Sequence, residues 1–400
     1  MRSKDGMYQN KPSTSTKINN ILSFKKSAAT PAFFVLASNF NLNLKQNNCG
    51  LHNFKYKRKL MKFNYVGDTG LMVSELCFGT MTFGGVDAGT WSQIASVPQK
   101  EVNQMLKAVF DAGINFIDTA NVYSFGQSEQ LLGQGLKDLG INRDEVVVAT
   151  KVLGPMSESP NDVGLSRYHI FNSVDASLKR LQLDHIDILY VHGVDAKVPV
   201  EQILQSLNDI VATGKVRYIA ICNWPAWMVS KAQAIAEHKG WQKFIGLQYY
   251  YSAVSRDIET ELVPMAQDHN LAIFPWSPLA GGFLTGKYSR EGSSEKGSRR
   301  ADFDFPPINK DRAFNLVDVM KELAAAHQVS IAEIALAWVR HQKGVTSTII
   351  GAKTIDQLQS NIKSTEINLG KEDLEKIDAV SPKPKLYPGW MVQRQSRYRQ

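Results

Sequence analysis

Only three of the 400 residues are cysteine: Cys49, Cys77 and Cys222. An odd number with no close spacing excludes a disulfide framework and a zinc site, and a reducing compartment is expected. Long apolar runs are also missing. No stretch of about 18 uninterrupted apolar residues occurs, and the longest near the start, residues 31–37, is far too short to span a bilayer. Acidic residues are almost absent from positions 1–60, where Asp5 stands against eleven Lys and Arg, a net charge of +10. Positions 61–400 hold 35 basic and 37 acidic residues, a net of −2. The whole-chain charge of +8 therefore belongs to the first segment. The remainder has no basic face of the kind nucleic-acid binding requires, so no nucleic-acid partner is expected. With 43% hydrophobic and 21% charged residues, the composition is that of a globular protein, neither mainly disordered nor collagenous.

Residues 1–60 are rich in Asn, Ser and Lys and show no sustained helical or strand period. They are expected to be a disordered basic extension. Three origins are open: a transit peptide, although Lys outnumbers Arg; a chain whose translation begins at Met61; or a genuine tail. Location is expected to be cytoplasmic, or organellar if the segment is a transit peptide. Residues 61–400 are expected to form one domain.

From Met61 onward, short apolar strands alternate with amphipathic helices. Strands are expected at 75–78, 114–117, 146–149, 186–191, 216–222, 244–247, 271–276 and 346–350. Helices are expected at 101–112, 128–137, 167–181, 200–211, 226–238, 259–269, 312–327, 331–341 and 355–361. The first helix carries Val102, Met105, Leu106, Val109 and Phe110 on one stripe. Eight strands in strict alternation with helices imply parallel crossovers and an α/β fold, a closed (β/α)8 TIM barrel. Residues 62–73, with Gly67-Asp68-Thr69-Gly70 in the middle, are read as a hairpin before the barrel. Residues 288–309 are read as a long loop after the seventh strand.

Barrel active sites sit where strands end. Asp118 follows the second strand, Tyr123 lies five residues on, Lys151 ends the third strand and His192 ends the fourth. Each residue alone has an ordinary structural reading: a cap, a packed phenol, a satisfied histidine. Four of them at consecutive strand ends make a coherent set. A free phenol, with a pKa near ~10, is a weak acid. A nearby ammonium is expected to lower that pKa, a carboxylate to orient the ammonium, and an imidazole to hold a carbonyl oxygen. The set would make Tyr123 a general acid above a carbonyl. A lyase using Lys151 as a Schiff-base nucleophile fits this company poorly.

The constellation resembles the aldo-keto reductase superfamily over about residues 62–380. The matching pieces are Gly79-Thr80-Met81, Asp118-Thr119-Ala120 with Tyr123 and Gly126, Lys151, His192, Asn223, Gln248, residues 276–282 (Trp-Ser-Pro-Leu-Ala-Gly-Gly) and Gly351-Ala352-Lys353. The branch it looks closest to contains bacterial-type and potassium-channel β-subunit-like reductases. The resemblance implies a nicotinamide cofactor, NADPH with NADH possible, bound without a Rossmann fold. The nearest dinucleotide-type motif, Gly133-Gln134-Gly135, lies at the end of an expected helix and lacks a third glycine. By resemblance Asp118, Gly79, Thr80, Met81 and Trp276 border the cofactor. Asn223 and Gln248 hold the carboxamide with Cys222 where the family has Ser. Ser277, Leu279, Gly281 and Lys287 line the pyrophosphate. Gly351 and Lys353 lie at the 2′-phosphate, and Gln357 and Asn361 at the adenine. The implied reaction is reversible reduction of an aldehyde or ketone, with a small carbonyl compound as partner. The alternative is a non-catalytic NADPH-binding regulatory subunit of a membrane channel. Trp91, Trp224, Trp227, Tyr249 and Tyr250 are candidates for an aromatic pocket wall, with core packing the competing reading of each. Oligomeric state is not legible.

Overall fold

The computed structural model describes residues 61–291, 300 and 303–399. The expected basic extension, and most of the centre of the loop expected at 288–309, lie outside the described residues. The chain opens with a two-stranded hairpin, β1 (Phe63–Tyr65) and β2 (Met72–Ser74), paired antiparallel with Phe63 opposite Ser74. Its turn needs glycine: Gly67 has φ +55°, and a Cβ there would stand 2.6 Å from the Asn270 carbonyl oxygen. Val66 and Val73 of the hairpin pack with Cys77, Phe116 and Ile188 inside the barrel.

Eight parallel strands follow: β3 (Leu76–Gly79), β4 (Phe116–Asp118), β5 (Val147–Val152), β6 (Ile186–Val191), β7 (Val216–Cys222), β8 (Gly246–Tyr250), β9 (Ala272–Trp276) and β10 (Thr348–Ile350). Their order is β10-β3-β4-β5-β6-β7-β8-β9. The remaining seam closes where the Thr346 amide donates to the Ile273 carbonyl at 2.9 Å. Successive side chains on a strand face opposite ways, and two apolar clusters result. Cys77, Phe116, Ala149, Tyr190, Cys222 and Phe274 fill the interior. Leu76, Phe78, Ile117, Val148, Leu189 and Ile221 join the larger cluster shared with the helices. Strands covered on both faces explain the nearly continuous apolar runs in the sequence.

The helices are α1 (Gln99–Asp111), α2 (Gln127–Asp138), α3 (Arg167–Leu181), α4 (Val200–Ala212), α5 (Ala226–Lys239), α6 (Leu262–Asp268), α7 (Lys310–His327), α8 (Ile331–Arg340), α9 (Ile355–Lys363), α10 (Lys371–Val380) and α11 (Gly389–Gln395). The last two were not foreseen. Gly133 and Gly135 lie inside α2 and not at its end. They let helices touch: a Cβ on Gly133 would stand 2.3 Å from the Leu181 carbonyl, and one on Gly135 2.5 Å from Leu106. Among the described residues no helix is long and apolar enough to cross a membrane.

Candidate active site

Lys151 is the centre of the site. It lies on β5 with no exposed surface, and its neighbour Thr150 donates to the buried carboxylate of Glu129 at 2.6 Å. An ammonium has three protons to donate and accepts none. All three are used: to Asp118 Oδ2 at 2.5 Å, to the Thr119 carbonyl at 2.8 Å and to the Tyr123 hydroxyl oxygen at 3.2 Å. The other carboxylate oxygen of Asp118 accepts from Gln248 Nε2 at 2.7 Å. Burial pushes the Asp118 carboxyl up, and the charge of Lys151 with the two donated hydrogen bonds opposes the rise.

The loop that carries Tyr123 is strained. Ser124, Phe125 and Gly126 follow it with φ of +49°, +51° and +91°. Non-glycine residues there cost energy that the surroundings must offset. The Ser124 hydroxyl bonds the Phe83 carbonyl at 3.2 Å, and Gly126 lies against Arg180, which pairs with Glu129 at 2.6 Å. Held in this way, the Tyr123 ring meets His192 edge-on at 5.9 Å and Trp91 at 5.5 Å.

The electrostatics depart from expectation in one respect. Burial pushes the Tyr123 phenol above its ordinary pKa. Lys151 pulls it back down without prevailing, and Asp118 adds to the rise. The lowering expected from the ammonium is therefore present but outweighed by desolvation. Tyr123 keeps its proton at neutral pH. Its oxygen already accepts from Lys151, so its own O–H is left to donate elsewhere. Burial lowers the affinity of Lys151 for its proton, but Asp118, Tyr123 and Cys222 together more than reverse this, and the group is held charged. Burial, then the charge of Lys151, pulls His192 down to about 3. It is a neutral imidazole with one N–H to give.

The groups expected at a nicotinamide cofactor lie at the ends of the other strands. Gly79 and Thr80 are buried at the end of β3. A Cβ at Gly79 would stand 2.8 Å from Ile349, and Met81 is half-buried. Cys222 ends β7 with its thiol pushed up by burial, hence neutral and a weak donor. Asn223 is exposed at φ +58°. It donates to the His192 carbonyl at 3.2 Å and accepts from Trp276 Nε1 at 3.1 Å. Trp276 stacks between Tyr250 and Phe305.

After β9 the turn 277–282 has Ser277, Ala280, Gly281 and Gly282 at positive φ, a form of backbone that gathers N–H groups into an anion-binding hollow. A Cβ on Gly281 would stand 2.5 Å from the Phe305 carbonyl, and one on Gly282 3.6 Å from Lys287 Nζ. The buried Arg300 guanidinium donates to the Ala280 carbonyl at 2.9 Å and the Pro306 carbonyl at 2.8 Å. Arg300 also pairs with Asp304 at 2.5 Å, so its charge is already met and it braces the turn, and Lys287 is the cation beside a hollow of this shape that would suit a diphosphate. Arg300 escaped the sequence reading because nothing in its loop marks it. Leu279 is half-buried in the same turn. Beyond β10, Gly351 accepts from the buried Asn361 amide at 3.0 Å, so Asn361 braces the loop. The exposed Gln357 accepts from the Lys353 amide at 2.9 Å, and Lys353 Nζ reaches the Gln93 carbonyl at 3.4 Å.

The aromatic candidates divide. Trp91 is at the site. Trp224 and Tyr249 are buried structural residues, joined by a 2.6 Å bond from the Tyr249 hydroxyl to the Trp224 carbonyl, and Trp227 is exposed on α5.

Comparison with known proteins matches the model of the Aldo/keto reductase family to residues 75–382. The uncharacterized oxidoreductase YrpG of Bacillus subtilis is 38% identical over 334 residues, covering 81% of this chain and 97% of that protein. A probable voltage-gated potassium channel subunit beta of Oryza sativa is 35% identical, covering 81% of this chain and 98% of its own length. Versiconal hemiacetal acetate reductase of Aspergillus parasiticus is 32% identical, covering 82% of this chain and 99% of its own. With the barrel, the four groups at three adjacent strand ends and a match across most of its length, the chain belongs to the aldo/keto reductase family, and with it to the oxidoreductases.

Proposed function

We propose that the protein is an NADPH-dependent reductase that reversibly converts an aldehyde or ketone to an alcohol, with Tyr123 as proton donor. The observation that carries this reading is the saturated Lys151 ammonium, which gives one of its three protons to the Tyr123 oxygen at 3.2 Å. The bound cofactor would supply the hydride. Tyr123 holds a proton that it can give to the oxygen of the carbonyl, and the ammonium beside it stabilises the phenolate left behind. His192, neutral, donates an N–H that orients the same oxygen. Asp118 keeps the ammonium in place, and Gln248 keeps Asp118 in place. Ser277, Gly281 and Lys287 would hold the diphosphate on the turn that Arg300 braces, and Lys353 the 2′-phosphate. The half-buried Trp91, edge-on to Tyr123, would form one wall of the substrate pocket.

The test is NADPH turnover with a panel of aldehydes and ketones, for the wild type and Tyr123→Phe. Wild-type turnover and a loss of at least ~10²-fold in the variant are expected, with cofactor affinity unchanged. Cofactor binding without turnover of any carbonyl would favour the channel-subunit reading. Wild-type rates in the variant would remove Tyr123 from the chemistry.

A further inference from the structure

The family match ends at residue 382, and the chain continues. The barrel is anchored as far as Ser381, whose hydroxyl donates to the Ala253 carbonyl at 2.5 Å and whose carbonyl accepts from Arg256 at 2.7 Å. Lys383 makes one last ion pair, with Glu259 at 3.7 Å. Beyond it most side chains stand in solvent, with Pro384 and Met391 partly covered. Fourteen large apolar residues are exposed among the described residues, and five of them lie here: Leu386, Tyr387, Trp390, Val392 and Tyr398, with Tyr387 at 74% and Tyr398 at 73%. Scattered apolar exposure is normal, but a cluster of this kind marks an interaction surface.

The composition says what covers it. Tyr, Trp, Met and Arg are the residues enriched in protein interfaces and among their hot spots, while Lys, Glu, Asp and Ala are depleted. The segment offers Tyr387, Trp390, Met391, Arg394, Arg397 and Tyr398. Trp390 and Arg394 are one turn apart in α11 and share a face. Charge is complementary as well. Residues 379–400 contain five Lys and Arg and no acid, whereas residues 61–378 contain 30 Lys and Arg against 37 Asp and Glu. Every copy of the chain therefore carries a cationic aromatic arm and, in residues 61–378, a net charge of −7 opposite in sign to it. Two copies related by a twofold axis would use each contact twice.

We propose that residues 383–398 dock on the barrel of a second copy of this chain, forming a symmetric dimer. The measurement is sedimentation velocity of the full chain over about a hundredfold range of concentration. Trp390→Ser with Tyr398→Ser, and separately Arg394→Glu, should each weaken the dimer at least about tenfold. Raising the salt should weaken the wild-type dimer, because the charge complementarity is screened. Trp227→Ser, equally exposed but on α5, should leave it intact. A chain that is monomeric throughout, or a dimer indifferent to the arm substitutions, overturns the proposal. So does a monomer that cosediments with phosphatidylserine vesicles and loses that property in Arg394→Glu, which would assign the arm to a lipid surface.

Discussion

At the ends of β4 and β5 the polar groups are buried and mutually bound, Lys151 and Asp118 with almost no exposed surface, and His192 after β6 packs edge-on to Tyr123 beside them. At the ends of β9 and β10 the cations Lys287 and Lys353 are half-buried, and the turn that leads to Lys287 runs at positive φ. The first half of the rim holds its geometry by desolvated hydrogen bonds between side chains on adjacent strands, where register fixes the spacing. Lys151 pairs with Tyr190 across the sheet, and Asp118 with Ala149. The second half holds its geometry by glycine and by the Arg300 brace. Substitutions should therefore act through burial in one half, with large effects on stability, and through shape and screened charge in the other, with small ones.

The sharpest form of the contrast is a pair of equal substitutions. Lys151→Met leaves the Asp118 carboxylate buried with one oxygen unpaired, and removing one partner of a buried ion pair costs about 3–5 kcal/mol. Lys287→Met removes a half-exposed cation, and surface substitutions of that kind stay within about 0.5 kcal/mol. Urea unfolding of both variants measures the difference. Equal losses would mean that the two halves are not held by different forces. Next in size is Gly281→Ala. A Cβ at φ +65° and 2.5 Å from the Phe305 carbonyl must strain the turn by roughly 1–3 kcal/mol. Affinity for NADPH and NADH should fall together, by about tenfold or more, in a fluorescence titration, while Lys151 and Tyr123 are untouched.

His192 gives the buried half a pH signature. An unfolded histidine binds its proton near pH 6.5, whereas in the fold protonation waits until about 3. Between those values the unfolded chain binds more protons, so stability rises with pH. The contribution is complete above about pH 6.5 and is lost as pH falls toward 3. His192→Gln should lack this slope. Because His192 is partly exposed, the difference from wild type should reach only ~1–2 kcal/mol at pH 5. Parallel stability curves for the two proteins from pH 7 to 5 would show that the imidazole is not held neutral by the fold.

The same contrast governs what could be read from the sequence. Elements with a clean period were legible. The expected 167–181, 186–191 and 216–222 coincide with α3, β6 and β7. Ends set by hydrogen bonds outside the ladder were not. The strand expected from 114 begins at Phe116, because the Ile114 amide still closes the end of α1 on the Val109 carbonyl at 3.1 Å. The strand expected from 244 begins at Gly246, because the Gln233 amide takes both backbone groups of Phe244 at 3.0 and 3.1 Å. The helix expected over 259–269 breaks into a short turn at Asp257–Glu259 and α6. The four groups around Lys151 were legible because strands deliver them in order along the chain. Arg300 was not, because it acts on the turn after β9 from a loop without periodicity. Nor could the sequence tell Trp91, at the site, from Trp224, whose indole N–H is spent on the Gly193 carbonyl at 2.7 Å.

The weakest effect should come from the exposed end of the second half. Lys353 offers a single ammonium, a point charge and not the planar fork that Arg would bring to a phosphate. That ammonium also reaches the Gln93 carbonyl at 3.4 Å, a contact it would have to share with a 2′-phosphate. One charge-assisted hydrogen bond contributes about 1.5–3 kcal/mol when well formed, and half-exposure and sharing place this one at the lower end. A loss of ~1 kcal/mol corresponds to roughly fivefold in affinity. Lys353→Met should therefore raise the NADPH dissociation constant about fivefold and leave that for NADH unchanged. The gap between the two cofactors should narrow as salt rises, since exposed charges are screened beyond about 8 Å at physiological ionic strength. Titration of both cofactors at two salt concentrations measures all three quantities. Equal weakening of NADPH and NADH would place Lys353 with the turn at 277–282, as a support for the loop and not a reader of the phosphate.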